Sequence, residues 1–147
     1  MTNVLIVDDE KSIRISLREF LVADGYKVEA ASDAQEALRL LGDHDFDVVV
    51  SDIVLPRING IELLKAIRGA APFAQVIMMT GEPTVDTAAE ALRSGAFDYL
   101  TKPVSKNAIL RAVGNAEKVK ALEDERRRLE RENQRALQDF VWVEIAC

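Results

Sequence analysis

The chain has 147 residues, 48% apolar and 30% charged, enough for one soluble globular domain with a core and one extra element. Its formal charge of −6 argues against non-specific binding to a nucleic-acid backbone, which needs a basic face. The only cysteine, Cys147, excludes an intrachain disulfide and a thiolate metal site, and no apolar stretch reaches the roughly 18 residues of a spanning helix.

Met1-Thr2-Asn3 carries no basic leader, so a reducing, cytoplasmic setting is expected. It runs into Val4–Val7, an aliphatic run too short for a helix and too apolar for an exposed strand. Ile13, Leu17, Phe20 and Leu21 recur at helical spacing until Asp24-Gly25. Tyr26–Ala30 reads as a second strand, and Asp33–Leu41 as a helix with Ala34, Ala37, Leu38 and Leu41 on one face. Val48–Val50 is a buried strand, and Asn59-Gly60 opens a helix carrying Ile61, Leu64 and Ile67. Val76–Met79, Thr84–Ser94 and Phe97–Leu100 continue the alternation, and a last helix starts near Ser105 and runs to about Gln138. Buried strands separated by helices imply an α/β fold, a parallel sheet covered on both faces. In such sheets ligands sit beyond the carboxyl ends of the strands.

Those ends hold Asp8-Asp9-Glu10, Asp52, Thr80-Gly81 and Thr101-Lys102-Pro103. Singly, each has a plain explanation: Asp9 as a helix cap, Asp52 as a turn residue before Pro56, Thr80 as a strand-end hydroxyl, Lys102 as a surface lysine. Together, three carboxylates on one rim repel unless a cation neutralises them, and hard oxygen ligands suit Mg²⁺, in a site that Mn²⁺ can also fill. A lysine and a hydroxyl beside them suit phosphoryl oxygens. The set points to phosphoryl transfer onto an aspartate.

Four segments carry a family resemblance: Val4-Leu5-Ile6-Val7-Asp8-Asp9-Glu10, Asp52 to Gly60, Met79-Thr80-Gly81 and Thr101-Lys102-Pro103. Over about residues 3–117 the chain resembles the receiver domains of bacterial two-component response regulators. The resemblance implies a (βα)5 doubly wound fold with strand order 2-1-3-4-5 and Asp52 as phosphoacceptor. It implies Mg²⁺ bound by Asp9, Asp52 and the Val54 carbonyl, with Asp8 acting directly or through a water. Lys102, before a cis proline, would pair with the phosphoryl group, which comes from a partner sensor histidine kinase. Thr80 and Tyr99 would relay the change to the face formed by the fourth helix, fifth strand and fifth helix. Tyr99 also reads as a plain core tyrosine.

Val54 and Glu82 flank the phosphoryl position, and an aliphatic Val54 cannot orient an attacking water, so slow self-dephosphorylation is expected unless Glu82 compensates. Val54 also stands where a haloacid-dehalogenase-like phosphohydrolase needs its second carboxylate, which counts against an enzyme. His44, between two aspartates, reads as a solvated loop residue.

After Ala116 the composition becomes charge-dense, without Gly or Pro over Lys118–Arg135. Val119, Leu122, Arg126, Leu129, Asn133, Ala136 and Phe140 form an a/d seam, imperfect at Arg126 and Asn133. Three segments are therefore expected: a receiver over 1–117, a helical linker over 118–140 pairing as a parallel dimer, and an apolar tail over 141–147. The alternative to pairing is a solvated single helix held by Glu123–Arg127 and Asp124–Arg128. The stretch Thr80–Pro103 resembles receivers of the nitrogen-regulatory class, which precede an AAA+ ATPase and a DNA-binding domain in transcriptional activators. Neither a G-x-x-x-x-G-K-[S/T] loop nor a DNA-binding helix pair occurs here, so this segment is expected to bind neither nucleic acid nor membrane. A stand-alone receiver acting by protein contacts is the alternative.

Overall fold

The computed structural model describes the chain over residues 1–146 and its side chains over residues 1–140. Strands and helices alternate: β1 (Asn3–Val7), α1 (Lys11–Ala23), β2 (Lys27–Ala31), α2 (Ala34–Asp43), β3 (Val48–Asp52), α3 (Gly60–Ala70), β4 (Gln75–Thr80), α4 (Val85–Arg93), β5 (Asp98–Thr101) and α5 (Lys106–Ala146). Every strand pairing is parallel, in the order β2-β1-β3-β4-β5. The expected fold class and strand order are therefore found.

Alternation along the strands splits the core in two, as a sheet covered on both faces requires. Leu5, Val7, Val49, Val76 and Met78 pack with α2 and α3 on one face. Val4, Ile6, Val50, Ile77 and Met79 meet Leu17 and Leu21 of α1 and Ile109, Val113 and Ala116 of α5 on the other. Asp33, Asn59 and Thr84 cap their helices, accepting from the backbone N–H of Glu36, Ile61 and Thr87 respectively. The Glu36 carboxylate returns to the Ser32 backbone N–H, one residue before the cap.

The element edges differ from the sequence expectation in a consistent way. β3 extends past Val50 to Asp52 and β4 past Met79 to Thr80, because ladder hydrogen bonding continues after the aliphatic residues stop. β5 begins at Asp98, one residue after the expected Phe97. The last helix does not stop near Gln138 but continues to Ala146, with no Gly or Pro after Gly114 to interrupt it. The side chains of the expected apolar tail, 141–147, lie outside the described residues.

Candidate phosphoacceptor site

Each candidate residue is placed by the end of a strand. Asp52 closes β3, and its register with Met79 sets Thr80, one residue on, beside it. Thr80 pairs with Thr101 across β4 and β5, and the Lys102 backbone N–H donates to the Thr80 carbonyl at 2.7 Å. Asp8 follows β1, its backbone N–H donating to Ala31 of β2 at 3.1 Å. The Lys102–Pro103 peptide is cis.

Asp8, Asp52 and Thr80 are buried. The Lys102 ammonium lies 2.6 Å from Asp52 Oδ2, to which it donates, and 2.8 Å from Asp8 Oδ2. The second contact is an ion pair without hydrogen-bond alignment, so Asp8 Oδ2 is buried with no hydrogen-bond partner. Asp8 Oδ1 accepts from the Glu10 N–H, and Asp52 Oδ1 from the Val54 N–H at 3.0 Å. Burial by itself pushes the Lys102 ammonium down, but the bond to Asp52 and the contact with Asp8 outweigh it, so its pKa is held above the ordinary lysine value. The plain reading of Lys102 as a surface lysine therefore fails.

The capping alternative for Asp9 also fails, since Glu10 occupies the cap position of α1 and no side chain caps it. Asp9 is exposed, and the acidic ligand atoms of Asp8, Asp9 and Glu10 lie within 4.8 Å of one another. Asp52 is tied to this group through Lys102. The sequence assigns no role to two further participants. Glu10 joins the acidic group, and Arg14 Nη1 donates to the Asp8 carbonyl at 2.8 Å. Glu10 was visible as a third consecutive acid; Arg14 looked like any helix-surface arginine.

Around this centre, Val54 is 64% exposed and bridges to Asn59, while Glu82 is exposed and its N–H donates to Thr80 Oγ1 at 3.1 Å. Arg57 adopts a φ of 72°, a left-handed backbone on a side-chain-bearing residue. Tyr99 is partly buried against the α2/α3 side of the core, its hydroxyl buried without a hydrogen-bond partner. His44 ends α2, exposed, its ring edge-on to Phe46.

The extended helix departs from one expectation. Glu123–Arg127 and Asp124–Arg128 pairs do not form; Arg126, Arg127 and Arg128 reach back to Glu123, Asp124 and Glu125, and Arg128 also forward to Glu132. Helical side chains lean toward the amino terminus, which favours the backward partners.

Residues 4–114 match the family described as response regulator receiver domain. The chain is 37% identical over 129 residues to the regulatory protein AtoC of Escherichia coli, covering 88% of this chain and 28% of that one. It spans less than half the length of the curated relatives it matches. Among solved structures, the beryllofluoride-activated NtrC4 receiver domain dimer aligns with a TM-score of 0.78 at 35% identity, over 82% of this chain and 99% of that one. A response regulator from Burkholderia pseudomallei, solved with a phosphorylated aspartic acid and a calcium ion, aligns with a TM-score of 0.74 at 33% identity, over 84% of this chain and 73% of that one. Among the described residues no helix is long and apolar enough to cross a membrane. The chain belongs to the response regulator receiver family, the phosphorylation-dependent signalling domains of two-component systems.

Proposed function

We propose that Asp52 accepts the phosphoryl group, from a phosphohistidine of a sensor kinase, and that the acyl phosphate resets the α4–β5–α5 face. The observation that carries this reading is the contact between the buried Asp52 carboxylate and the Lys102 ammonium at 2.6 Å. A lysine held charged beside an aspartate at the rim of a parallel sheet suits a phosphoryl oxygen once the carboxylate is phosphorylated. As the bond from phosphorus to an Asp52 oxygen forms, the bond from phosphorus to the kinase imidazole breaks, and the imidazole, already protonated on its other ring nitrogen, leaves as the neutral ring.

The donor set fits a hard divalent ion, because Asp8 Oδ2, buried and met only by the Lys102 ion contact, accepts no hydrogen bond and lies beside two further acids. Asp8, Asp9, Asp52 and the Val54 carbonyl would hold Mg²⁺, which supplies charge neutralisation for the phosphoryl oxygens. The Thr80 hydroxyl, which accepts from Glu82 N–H, keeps its own proton for a phosphoryl oxygen. Its movement would give Tyr99 room to turn, which supports a relay to α4, β5 and α5.

The output proposed is transcription control as part of a longer regulator of the nitrogen-regulatory class, with the chain paired through α5. The similarity to a receiver solved as a dimer and to a regulatory protein more than three times longer supports this reading.

Intact-mass measurement after treatment with acetyl phosphate and Mg²⁺ tests the site. Wild type should gain one phosphoryl group, and Asp52→Asn none. Full labelling of the variant, or catalytic release of phosphate in place of a stable adduct, would overturn the assignment.

A further inference from the structure

The amino-terminal end of the sheet, opposite Asp52, carries a second organised cluster. Asp47, the residue before β3, accepts from the Asn3 N–H at 2.9 Å through Oδ2. Its other oxygen lies 3.5 Å from Lys120 Nζ, which donates to Asp124 at 2.6 Å. Asp124 in turn pairs with Arg127, and the Arg127 guanidinium stacks over the ring of Phe73 at 3.7 Å. Phe73 stands in the loop before β4. Both cationic side chains are largely withdrawn from solvent, Lys120 at 14% and Arg127 at 19% exposure. From Arg128 to Phe140, by contrast, every residue is exposed and the ion pairs stay within the helix.

Lys120, Asp124 and Arg127 are spaced by four and three residues, so they share one face of α5. Leu122 and Leu129 each lie two residues further on, about 200° round the helix. They are 70% and 51% exposed. One face of the extension grips its own domain while the face carrying the leucines points away.

We propose that the base of the domain is a docking surface for its own helix. Asp47 and Phe73 form the socket, and Lys120 and Arg127 are the side chains it takes. The grip fixes the direction in which α5 leaves the sheet, and so the direction in which Leu122 and Leu129 are offered to a second copy. The folding unit then runs through about Arg127, and the boundary expected after residue 117 falls inside it. The part concerning the second copy rests on the pairing proposed above; the grip does not.

Hydrogen exchange by mass spectrometry on the full chain tests this, with two double variants as arms. Lys120→Met with Arg127→Ala breaks the grip, and Leu122→Glu with Leu129→Glu breaks the seam. In the wild type, amides of 118–127 should exchange about tenfold more slowly than those of 132–140. The grip variant should lose that difference and speed exchange around 45–47 and 72–74, with the strands still protected and acetyl-phosphate labelling retained. The seam variant should sediment as a monomer with 118–127 still protected. Protection kept in the grip variant overturns the socket, and so does protection lost in the seam variant, which would assign it to pairing. A wild-type chain that sediments as a monomer overturns the part concerning the second copy alone.

Discussion

Gly60 packs so closely on Ile53 that a Cβ added to it would stand 2.4 Å from the Ile53 Cα and 2.8 Å from the Asp52 carbonyl oxygen. The Gly60 N–H donates to the Ile53 carbonyl at 2.8 Å, so the start of α3 is fastened to the residue after the proposed phosphoacceptor. Only backbone atoms stand in the way, and they cannot swing aside as a side-chain end does. Gly60→Ala should cost about 3 kcal/mol of stability and displace the loop that carries Val54. Urea unfolding reads the first effect, and the rate of labelling by acetyl phosphate the second. An unchanged urea midpoint would show that the loop yields.

Lys102 is the counter-charge for two buried carboxylates, Asp8 and Asp52. Lys102→Met should cost about 3 kcal/mol at neutral pH in chelator, because both are left uncompensated, and Mg²⁺ should restore part of the loss. The pH dependence has a definite sign. Lys102 holds its proton more tightly in the fold, so its contribution is complete below the ordinary lysine value of about 10.4 and is lost as pH rises through the folded value. Tyr26 acts in the same direction, its phenol raised by burial and then by Glu117. Wild-type urea midpoints should fall above about pH 10, and those of Lys102→Met less steeply. Parallel curves, or no response to Mg²⁺, would contradict this account.

The fold was readable because each strand is an aliphatic run flanked by a helical pattern, but the strand order came from resemblance, since periodicity says nothing about neighbours. The acids and Lys102 were readable as strand-end residues. That Lys102 reaches Asp52, fifty positions earlier, depends on β4 lying between their strands, which only the sheet order supplies. The base of the domain was not readable. Asp47 and Phe73 look like ordinary loop residues, and the partners of Arg127 depend on which way its side chain leans. The left-handed Arg57 was equally hidden, because Pro56 constrains its own φ and not that of the next residue.

Tyr99 offers a test of the relay that separates packing from signalling. Its hydroxyl is buried without a partner, so Tyr99→Phe should stabilise the unphosphorylated domain by about 1 kcal/mol. If the hydroxyl finds its partner only after phosphorylation, the gain should vanish in the beryllofluoride-treated protein. Urea midpoints with and without beryllofluoride check both expectations. An equal gain in the two states would leave Tyr99 a core tyrosine and remove it from the relay.

Val54 is the residue we propose to govern how long the phosphoryl group on Asp52 survives. Val54 is 64% exposed two residues after Asp52, and its aliphatic side chain offers no hydrogen bond to an attacking water. An amide there would supply one, worth about 1 kcal/mol in the transition state, or roughly fivefold in rate. Val54→Asn should therefore shorten the phosphoryl half-life by about that factor, while labelling at Asp52 is retained. Glu82, exposed two residues after Thr80, sets the control: Glu82→Gln should leave the wild-type decay unchanged if Glu82 does not reach the water. Decay followed by intact mass after removal of acetyl phosphate gives both rates. If Glu82→Gln slows the wild type and Val54→Asn has no effect, the water is oriented from Glu82, and the persistence of the phosphoryl group has been assigned to the wrong residue.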